Sequence, residues 1–158
     1  MPLEATFGSA PVTDQRRSIG RTAAWLAKQV EIGLATVDLS LPQYRVLGLL
    51  DESTAVSSDL ATRLDVRPPT VTAVVDGLVT RGLVERRSVE GDRRCVSHAL
   101  TPEGRRLLVV GDSAVFDRLC ETVGALSDDE DRTLAFDGLA AWRRALLAAH
   151  LAKQGPPA

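Results

Sequence analysis

The chain has 158 residues, of which 44% are hydrophobic and 25% are charged, and its formal net charge is −2. These totals predict one ordinary globular domain, and the sequence contains no run of eighteen apolar residues that would predict a membrane-spanning helix. Two cysteines, Cys95 and Cys120, and two histidines predict neither a disulfide framework nor a zinc site, so we expect free thiols and no metal or other cofactor.

The two ends of the chain, residues 1–13 and 151–158, are predicted to be flexible. The first segment lacks the charged start and the apolar stretch of a secretory signal, which predicts a cytoplasmic protein with no membrane partner. Residues 14–150 are expected to form the folded domain.

Two helices are predicted at the start of this domain. The first begins at a cap on Thr13 or Asp14, because apolar residues from there to Val37 recur at steps of three and four. Ser40 and Gln43 then fit a capping box, which predicts that a second helix starts directly after Ser40.

Two shorter helices follow a loop predicted over residues 52–56. Ser57 is expected to cap a third helix that ends near Leu64. Pro68 and Pro69 cannot donate the hydrogen bonds of a helix interior, but they suit a first turn, so they predict the start of a fourth helix.

The fourth helix is predicted to end at Gly82 in a left-handed conformation. Strand-like segments, Leu83–Ser88 and Arg94–Leu100, come next, and the Val-Glu-Gly-Asp between them is typical of a hairpin turn. Thr101 is expected to cap a fifth helix, and the capping box at 127–130 a sixth. The predicted fold is therefore mainly α with a small β-hairpin.

Positive charge is concentrated in the middle of the chain. Residues 61–106 carry a net charge of +3, whereas residues 1–60 and 107–158 carry −2 and −3. Because the local field governs contact with phosphates, this distribution favours a nucleic-acid partner despite the negative total.

Two short helices joined by a tight turn and followed by a hairpin form a winged helix-turn-helix, whose second helix enters the major groove of DNA. Arg67 has the long donor side chain at the start of that helix, and it suits a bidentate contact with guanine. We also expect the helix start to offer backbone N–H groups to a phosphate. The residues predicted to contact DNA here are Arg67, Pro68, Thr70, Thr72 and Ala73.

The hairpin is interpreted as the wing, which can place arginines in a narrow minor groove. Arg93 and Arg94, next to the turn, are expected to make the main contacts. Asp92 is expected to orient a neighbouring guanidinium through a bidentate pair. Arg86 and Arg87, lower on the hairpin, are expected to touch phosphates or to form surface ion pairs.

Residues 59–108 read DLATRLDVRPPTVTAVVDGLVTRGLVERRSVEGDRRCVSHALTPEGRRLL. This run resembles the MarR family of bacterial transcriptional regulators in the DLA-x-x-L of its first helix and the TVT-x-x-VD-x-L of its second. It resembles the family further in RGLVER, in the DRR of the wing and in LT-x-x-G. The flanking helices agree in order and length, so the resemblance extends loosely over residues 14–150.

The resemblance implies a homodimer in which the helices of residues 14–38 and 102–150 intertwine. Two winged helix-turn-helix regions, residues 40–101 of each subunit, would then read a palindromic operator in double-stranded DNA. It also implies repression that is released when a small phenolic or other hydrophobic effector enters a cleft between the two regions. The candidate ligand-binding residues are Trp25, Tyr44 and Arg45.

Four positions depart from the family pattern or add chemistry to it. Ala73 and Gly77 stand where the family often has arginines, so the operator is expected to differ. His98 falls at a strand position that is usually apolar, and we interpret it as a packed, hydrogen-bonded residue, although a buried histidine could couple affinity to pH. Cys95 lies beside the wing arginines, which could favour a thiolate and a redox switch, but we interpret it as a small strand residue.

An enzyme is not predicted, because the sequence contains no Gly-rich phosphate loop, no GxSxG and no HExxH. The alternative function is a winged-helix dimer that has lost DNA binding and acts as a ligand-sequestering or protein-interaction module. The missing arginines of the recognition helix keep this alternative open.

Overall fold

The computed structural model describes the backbone of residues 12–89 and 92–154 and the side chains of residues 18–88 and 96–149. The predicted mainly helical fold with a small antiparallel sheet is confirmed, and the helices follow in the predicted order. The elements are α1 Val12–Ala35, α2 Leu41–Glu52, β1 Ala55–Val56, α3 Ser57–Leu64, α4 Pro68–Thr80, β2 Val84–Val89, β3 Asp92–Leu100, α5 Pro102–Val123 and α6 Asp129–Gln154.

The predicted ends of the first and last helices differ from the observed ones. The helix α1 begins before the predicted cap at Thr13 or Asp14, and α6 extends beyond residue 150. The turn of Glu90 and Gly91 and the segments 1–11 and 155–158 lie outside the described residues.

The capping box at the start of α2 is confirmed. The Gln43 N–H donates to the Ser40 hydroxyl at 3.4 Å, and the Ser40 N–H donates to the Gln43 side chain at 3.0 Å. The predicted cap at Ser57 is wrong, because Val56 is the residue that precedes α3 and no side chain caps it. The Ser57 hydroxyl instead lies 2.9 Å from Nε2 of His98, which is where its hydrogen-bonding capacity is used.

At the start of α6 the cap lies one residue beyond the predicted Ser127. The Glu130 N–H donates to Oδ1 of Asp128 at 2.9 Å, so Asp128 rather than Ser127 supplies the acceptor for the first turn. Asp and Ser are both strong capping residues, so the sequence alone does not distinguish two of them in tandem.

The sheet contains one strand more than the predicted hairpin. Its order is β1-β3-β2, and Ala55 and Val56 of β1 pair with His98 and Ser97 of β3. The prediction of a loop over residues 52–56 is therefore wrong in part. A strand of two residues shows no measurable alternation, and its partner lies more than forty residues further along the chain.

The core lies where α1 to α4, β2 and the start of α5 meet. Its fully buried side chains include Leu34, Leu47, Leu60, Leu78 and Val84. The helix α4 contributes Val71, Val75 and Leu78, and Gly82 follows its end in the predicted left-handed conformation, with a φ of +70°. The Leu83 N–H then donates to the Leu78 carbonyl at 2.9 Å, which closes the helix and directs the chain into β2.

The helix α5 starts in close contact with this turn. The Thr101 N–H donates to the Leu83 carbonyl at 3.1 Å, and the Thr101 hydroxyl accepts from the Gly104 N–H at 3.0 Å. A Cβ on Gly104 would lie 2.0 Å from the Leu83 carbonyl oxygen. The glycine of LT-x-x-G is therefore required by the approach of two backbones.

The outer helices expose large apolar side chains. Trp25 of α1 is 71% exposed, and on α6 Leu134, Trp142 and Leu146 are between 61% and 66% exposed. The described part of α6 contributes no residue to the buried core, although Phe136 contacts Phe116 of α5 with ring centroids 5.7 Å apart. Within the described ranges, no helix is both long enough and apolar enough to cross a membrane.

Candidate nucleic-acid interface

The turn between α3 and α4 is tight. Asp65 ends α3 in the left-handed region with φ of 55°, and the Val66 N–H donates to the Ala61 carbonyl at 3.1 Å. Arg67 then takes an extended conformation as the residue that precedes α4. Three residues, 65–67, thus join the two helices, and the start of α4 is exposed.

The Arg67 side chain is exposed, and it forms no hydrogen bond or ion pair with any other residue that the structure describes. A guanidinium in this position has all five donors available for a ligand. Its placement agrees with the predicted role in base recognition, which stays a prediction.

The expectation that the start of α4 donates backbone N–H groups to a phosphate is wrong. Pro68 and Pro69 occupy the first two helical positions and have no N–H. The N–H of Thr70 is donated to the Arg67 carbonyl at 3.0 Å. Contact with phosphate at this helix must therefore come from side chains.

The other residues predicted for base contact share the exposed surface of the first turns of α4. Thr70, Thr72 and Ala73 are all exposed. The Thr72 hydroxyl donates to the Pro68 carbonyl at 3.1 Å and keeps its lone pairs free to accept. Gly77, one turn further along, is half-buried, and outside its own helix no heavy atom lies within 4 Å of the position that a Cβ would take.

The arginines of β2 are held in ion pairs on opposite faces of the strand. Arg86 pairs with Asp76 of α4, and Arg87 donates to Glu85 of its own strand at 2.5 and 2.8 Å. Successive strand residues face opposite sides, so Arg86 shares a face with the buried Val84, and Arg87 shares the other with Glu85. Both arginines thus form surface ion pairs in this structure, and their contact with phosphate stays a prediction.

The side chains predicted to enter the minor groove lie outside the described residues. These are Asp92, Arg93 and Arg94, and the side chain of Cys95 lies outside them too. Their backbone belongs to β3, which continues to Leu100 and the start of α5. Their roles in DNA binding, and a redox role for Cys95, stay predictions.

His98 is packed and hydrogen-bonded, which confirms the interpretation made from its strand position. It is 5% exposed, its Nε2 lies 2.9 Å from the Ser57 hydroxyl, and its Nδ1 has no partner within the described part of the chain. Burial, and secondarily the positive charge of Arg86, lower the pKa of His98, while Asp76 opposes the shift. The imidazole is therefore neutral near pH 7.

The three candidate ligand-binding residues lie in different surroundings. Trp25 is exposed on α1, while the Tyr44 hydroxyl donates to Asp112 of α5. Burial, followed by this hydrogen bond and the negative charge of Asp112, raises the pKa of Tyr44. Arg45 donates to the Leu64 carbonyl at 3.1 Å and so caps the end of α3. Their role in ligand binding stays a prediction.

A cleft of about 810 Å³ lies between β2 and the start of α5. Leu100, Pro102, Val109 and Val110 supply apolar surface, and arginines of β2 and α5 line the cleft with them. Pockets of roughly 300–1,000 Å³ with an apolar lining and a few polar groups are typical of small-molecule sites.

Of the residues that connect the wing to the two helices, Arg86 was predicted from the sequence to contact DNA, whereas Asp76 and Ser57 were not predicted to have a role in this connection. Asp76 was part of a family motif, but nothing in its spacing indicated Arg86 as its partner. The period of two along β2 does separate Arg86 from Arg87, and that signal could have placed Arg86 beside α4. The contact of Ser57 with His98 depends on β1, the strand that the sequence did not predict.

The chain is similar to several known regulators. A model of the MarR family matches residues 37–94. Over 82 residues, 51% of this chain and 53% of the relative, it is 37% identical to YhbI, an uncharacterized HTH-type transcriptional regulator of Bacillus subtilis (strain 168). Over 111 residues, 70% of this chain and 69% of the relative, it is 31% identical to YfiV, another uncharacterized HTH-type regulator of that strain. It is 32% identical over 95 residues to the HTH-type transcriptional repressor YetL, covering 58% and 57% of the two chains.

Solved structures share the fold. Wild-type MarR from Escherichia coli, in its apo form, has a TM-score of 0.68 at 24% identity, covering 84% of this chain and 98% of that one. A mutant of MepR from Staphylococcus aureus, solved with a bound oligodeoxyribonucleotide, has a TM-score of 0.59 at 21% identity, covering 87% and 99%.

The fold is that of a winged helix-turn-helix protein, and the named relatives are described as transcriptional regulators. The chain belongs to the MarR family, which confirms the resemblance seen in residues 59–108. The relatives named above are described as transcriptional regulators and not as enzymes, which agrees with the sequence prediction, and the sequestering alternative has no support among them. The chain spans about half the length of YhbI and about two thirds of YfiV.

Proposed function

We propose that this protein is a sequence-specific DNA-binding transcriptional repressor that acts as a cytoplasmic homodimer on a palindromic operator. The observation that carries the proposal is the exposed start of α4, where Arg67 has no partner among the described residues, next to a hairpin whose sequence continues into Arg93 and Arg94. A helix and a wing in this arrangement suit adjacent grooves of one duplex. The oligonucleotide bound by MepR and the name of YetL support the same function.

Dimerisation is supported by the apolar side chains of α1, α5 and α6. Trp25, Phe116, Trp142 and Leu146 are each more than half exposed in the single chain. Exposed apolar surface on this scale is typical of an obligate interface. Two identical subunits would in turn present two recognition helices to the half-sites of a palindrome.

For the effector we propose a small hydrophobic compound bound in the cleft between β2 and α5. Strand β2 belongs to the wing and α5 leads away from it, so an occupant of the cleft would contact both. Its binding could then alter the position of the wing and release DNA.

The proposal is tested by footprinting the purified protein on the DNA that flanks its gene, with and without small hydrophobic acids. Arg93→Ala and Arg94→Ala should each weaken binding to that DNA by about tenfold at roughly 150 mM salt, because a lost groove contact has about this effect. Arg67→Ala should reduce the preference for the operator over a random duplex more than it reduces non-specific affinity.

Arg144→Ala, which removes an exposed arginine from α6 and so lies outside the winged region, is the matched control and should bind as the parent does. Binding of the parent to flanking DNA no tighter than to random duplex would contradict sequence-specific regulation. Parent-like affinity of both wing variants would contradict the wing assignment.

A further inference from the structure

The ion pair between Arg86 and Asp76 joins the wing to the recognition helix. Asp76 lies on α4, two turns from its exposed start, and Arg86 lies on β2 one pleat beyond the buried Val84. Both side chains are about half exposed, at 53% and 52%. A surface ion pair of this exposure contributes little to overall stability, so its presence calls for a different explanation.

At the position of Arg86 the sheet is also connected to α3, the other helix of the helix-turn-helix. In the strand register Arg86 is the direct partner of His98, and His98 reaches the Ser57 hydroxyl at the start of α3. Strand β2 is thus held to α4 and strand β3 to α3. Further out, a shift in register between Ser88 and Val89 interrupts the regular pairing of the hairpin.

His98 leaves this ion pair undisturbed. It is buried, and its lowered pKa keeps it neutral, so it does not compete with Arg86 for the carboxylate of Asp76. The remaining elements at this point contribute the hydroxyl of Ser57 and the uncharged Ala55. Among the described residues, Arg86 and Asp76 are therefore the two charged groups that act on His98.

We propose that Arg86 is a positioning residue, which acts with Asp76 to fix the angle between the wing and the recognition helix rather than by binding phosphate. This inference rests on the proposed function, because the angle matters when two grooves of one duplex are contacted together. The same role accounts for a carboxylate on the helix that faces DNA. Asp76 is paired with Arg86, and without that partner its negative charge would repel the phosphates of DNA.

The test compares Asp76→Asn, Arg86→Gln and the double variant on two duplexes, the protein's own upstream DNA and a random sequence of equal length. Each single variant should lose about tenfold in affinity for the upstream DNA, and the double variant should lose no more than either one, because both break the same contact. The slope of log affinity against log salt should not change.

The sign of the Asp76→Asn effect separates the two roles. If Asp76 merely adds negative charge near DNA, its neutralisation should strengthen binding, and this outcome would overturn the proposal. A decrease of about one in the salt slope for Arg86→Gln would also overturn it, because that decrease marks a lost phosphate contact. Glu85→Gln, which removes a carboxylate from the other face of the same strand, is the control and should not weaken binding.

A second measurement does not depend on DNA. Amide hydrogen exchange in β2 and β3 should become faster in Asp76→Asn and Arg86→Gln but not in Glu85→Gln, while the melting temperature stays close to that of the parent. Unchanged exchange in both variants would overturn the proposal even if the parent binds DNA. Faster exchange in a protein that binds no DNA would leave the contact established and refute only the proposed function.

Discussion

The hydroxyl of Ser57 contacts His98 instead of capping α3, which is the local contact that the sequence predicted. Ser57 is the first residue of that helix, and its hydroxyl faces an imidazole on a strand that follows more than forty residues later. His98 has little access to water, since it is 5% exposed, and its Nδ1 has no partner among the described residues. A buried imidazole with one hydrogen bond is stable only in its neutral form.

We therefore expect His98 to make stability depend on pH. Above its ordinary pKa of 6.5 the imidazole is neutral in both states, and it has no effect on the pH dependence. As the pH falls below 6.5, the unfolded chain takes up the proton first, because burial and Arg86 lower the pKa in the folded state. The free energy of unfolding should thus decrease from pH 7.5 to pH 5.5 more in the parent than in His98→Gln.

Urea unfolding at the two pH values measures this difference. His150→Gln, which changes the other histidine of the sequence, controls for the loss of one imidazole. Equal decreases in the parent and in His98→Gln would show that the His98 proton is bound with the same affinity in both states.

At the level of elements, the sequence is informative wherever a local signal is long or chemically specific. Six helices follow from apolar periodicity, from two adjacent prolines and from the Ser40 capping box. The misses are short or non-local: β1 has two residues, and the cap of α6 lies at Asp128 instead of Ser127. The exposure of Arg67 follows from its place before α4 and could be predicted, whereas the Arg86 pair depends on how two elements pack.

The junction between β2 and α5 gives a prediction at this scale. Gly104→Ala should lower the free energy of unfolding by about 3 kcal/mol, because the new Cβ would lie 2.0 Å from the Leu83 carbonyl oxygen and two backbones must separate. The measurement is equilibrium unfolding in urea or guanidinium chloride.

Gly77→Ala is the matched control for the same substitution in a helix. No heavy atom outside its own helix lies within 4 Å of the position that a Cβ would take. It should raise the free energy of unfolding by about 0.5–1 kcal/mol, because glycine weakens a helix interior. If Gly104→Ala lowers the free energy of unfolding by no more than about 1 kcal/mol, the scale of helix propensity alone, then the two backbones separate without strain.

In the molecule as a whole, one part buries its apolar side chains in a core, whereas another part leaves them exposed. The end of α1, the winged helix-turn-helix region and the start of α5 contain the buried core, while α6 exposes Leu134, Trp142 and Leu146. The sequence predicted the apolar periodicity of α1. It could not distinguish burial within one chain from burial between two, because both require the same periodicity.

If α6 belongs to a dimer interface, Trp142→Glu combined with Leu146→Glu should convert the protein to a monomer. The free energy of unfolding should decrease to the extent that the dimer is lost. Burying two carboxylates in an apolar interface is strongly unfavourable. Sedimentation velocity across a range of concentrations gives the mass of the species in solution.

Arg144→Glu places a carboxylate on the opposite face of α6, and it should leave the dimer intact. A parent protein that sediments as a monomer throughout would contradict the dimer. So would a double variant that retains the dimer mass.

The helix α5 begins beside the Leu83 carbonyl at the root of the wing and ends at the corner that leads into α6. Its 22 residues form one continuous helix with a length of about 33 Å. A tilt of about 10° at the α6 end displaces the other end by roughly 6 Å, which is comparable to the rise of two base pairs. In the proposed dimer, the spacing between the two recognition helices would therefore depend on the inclination of α5.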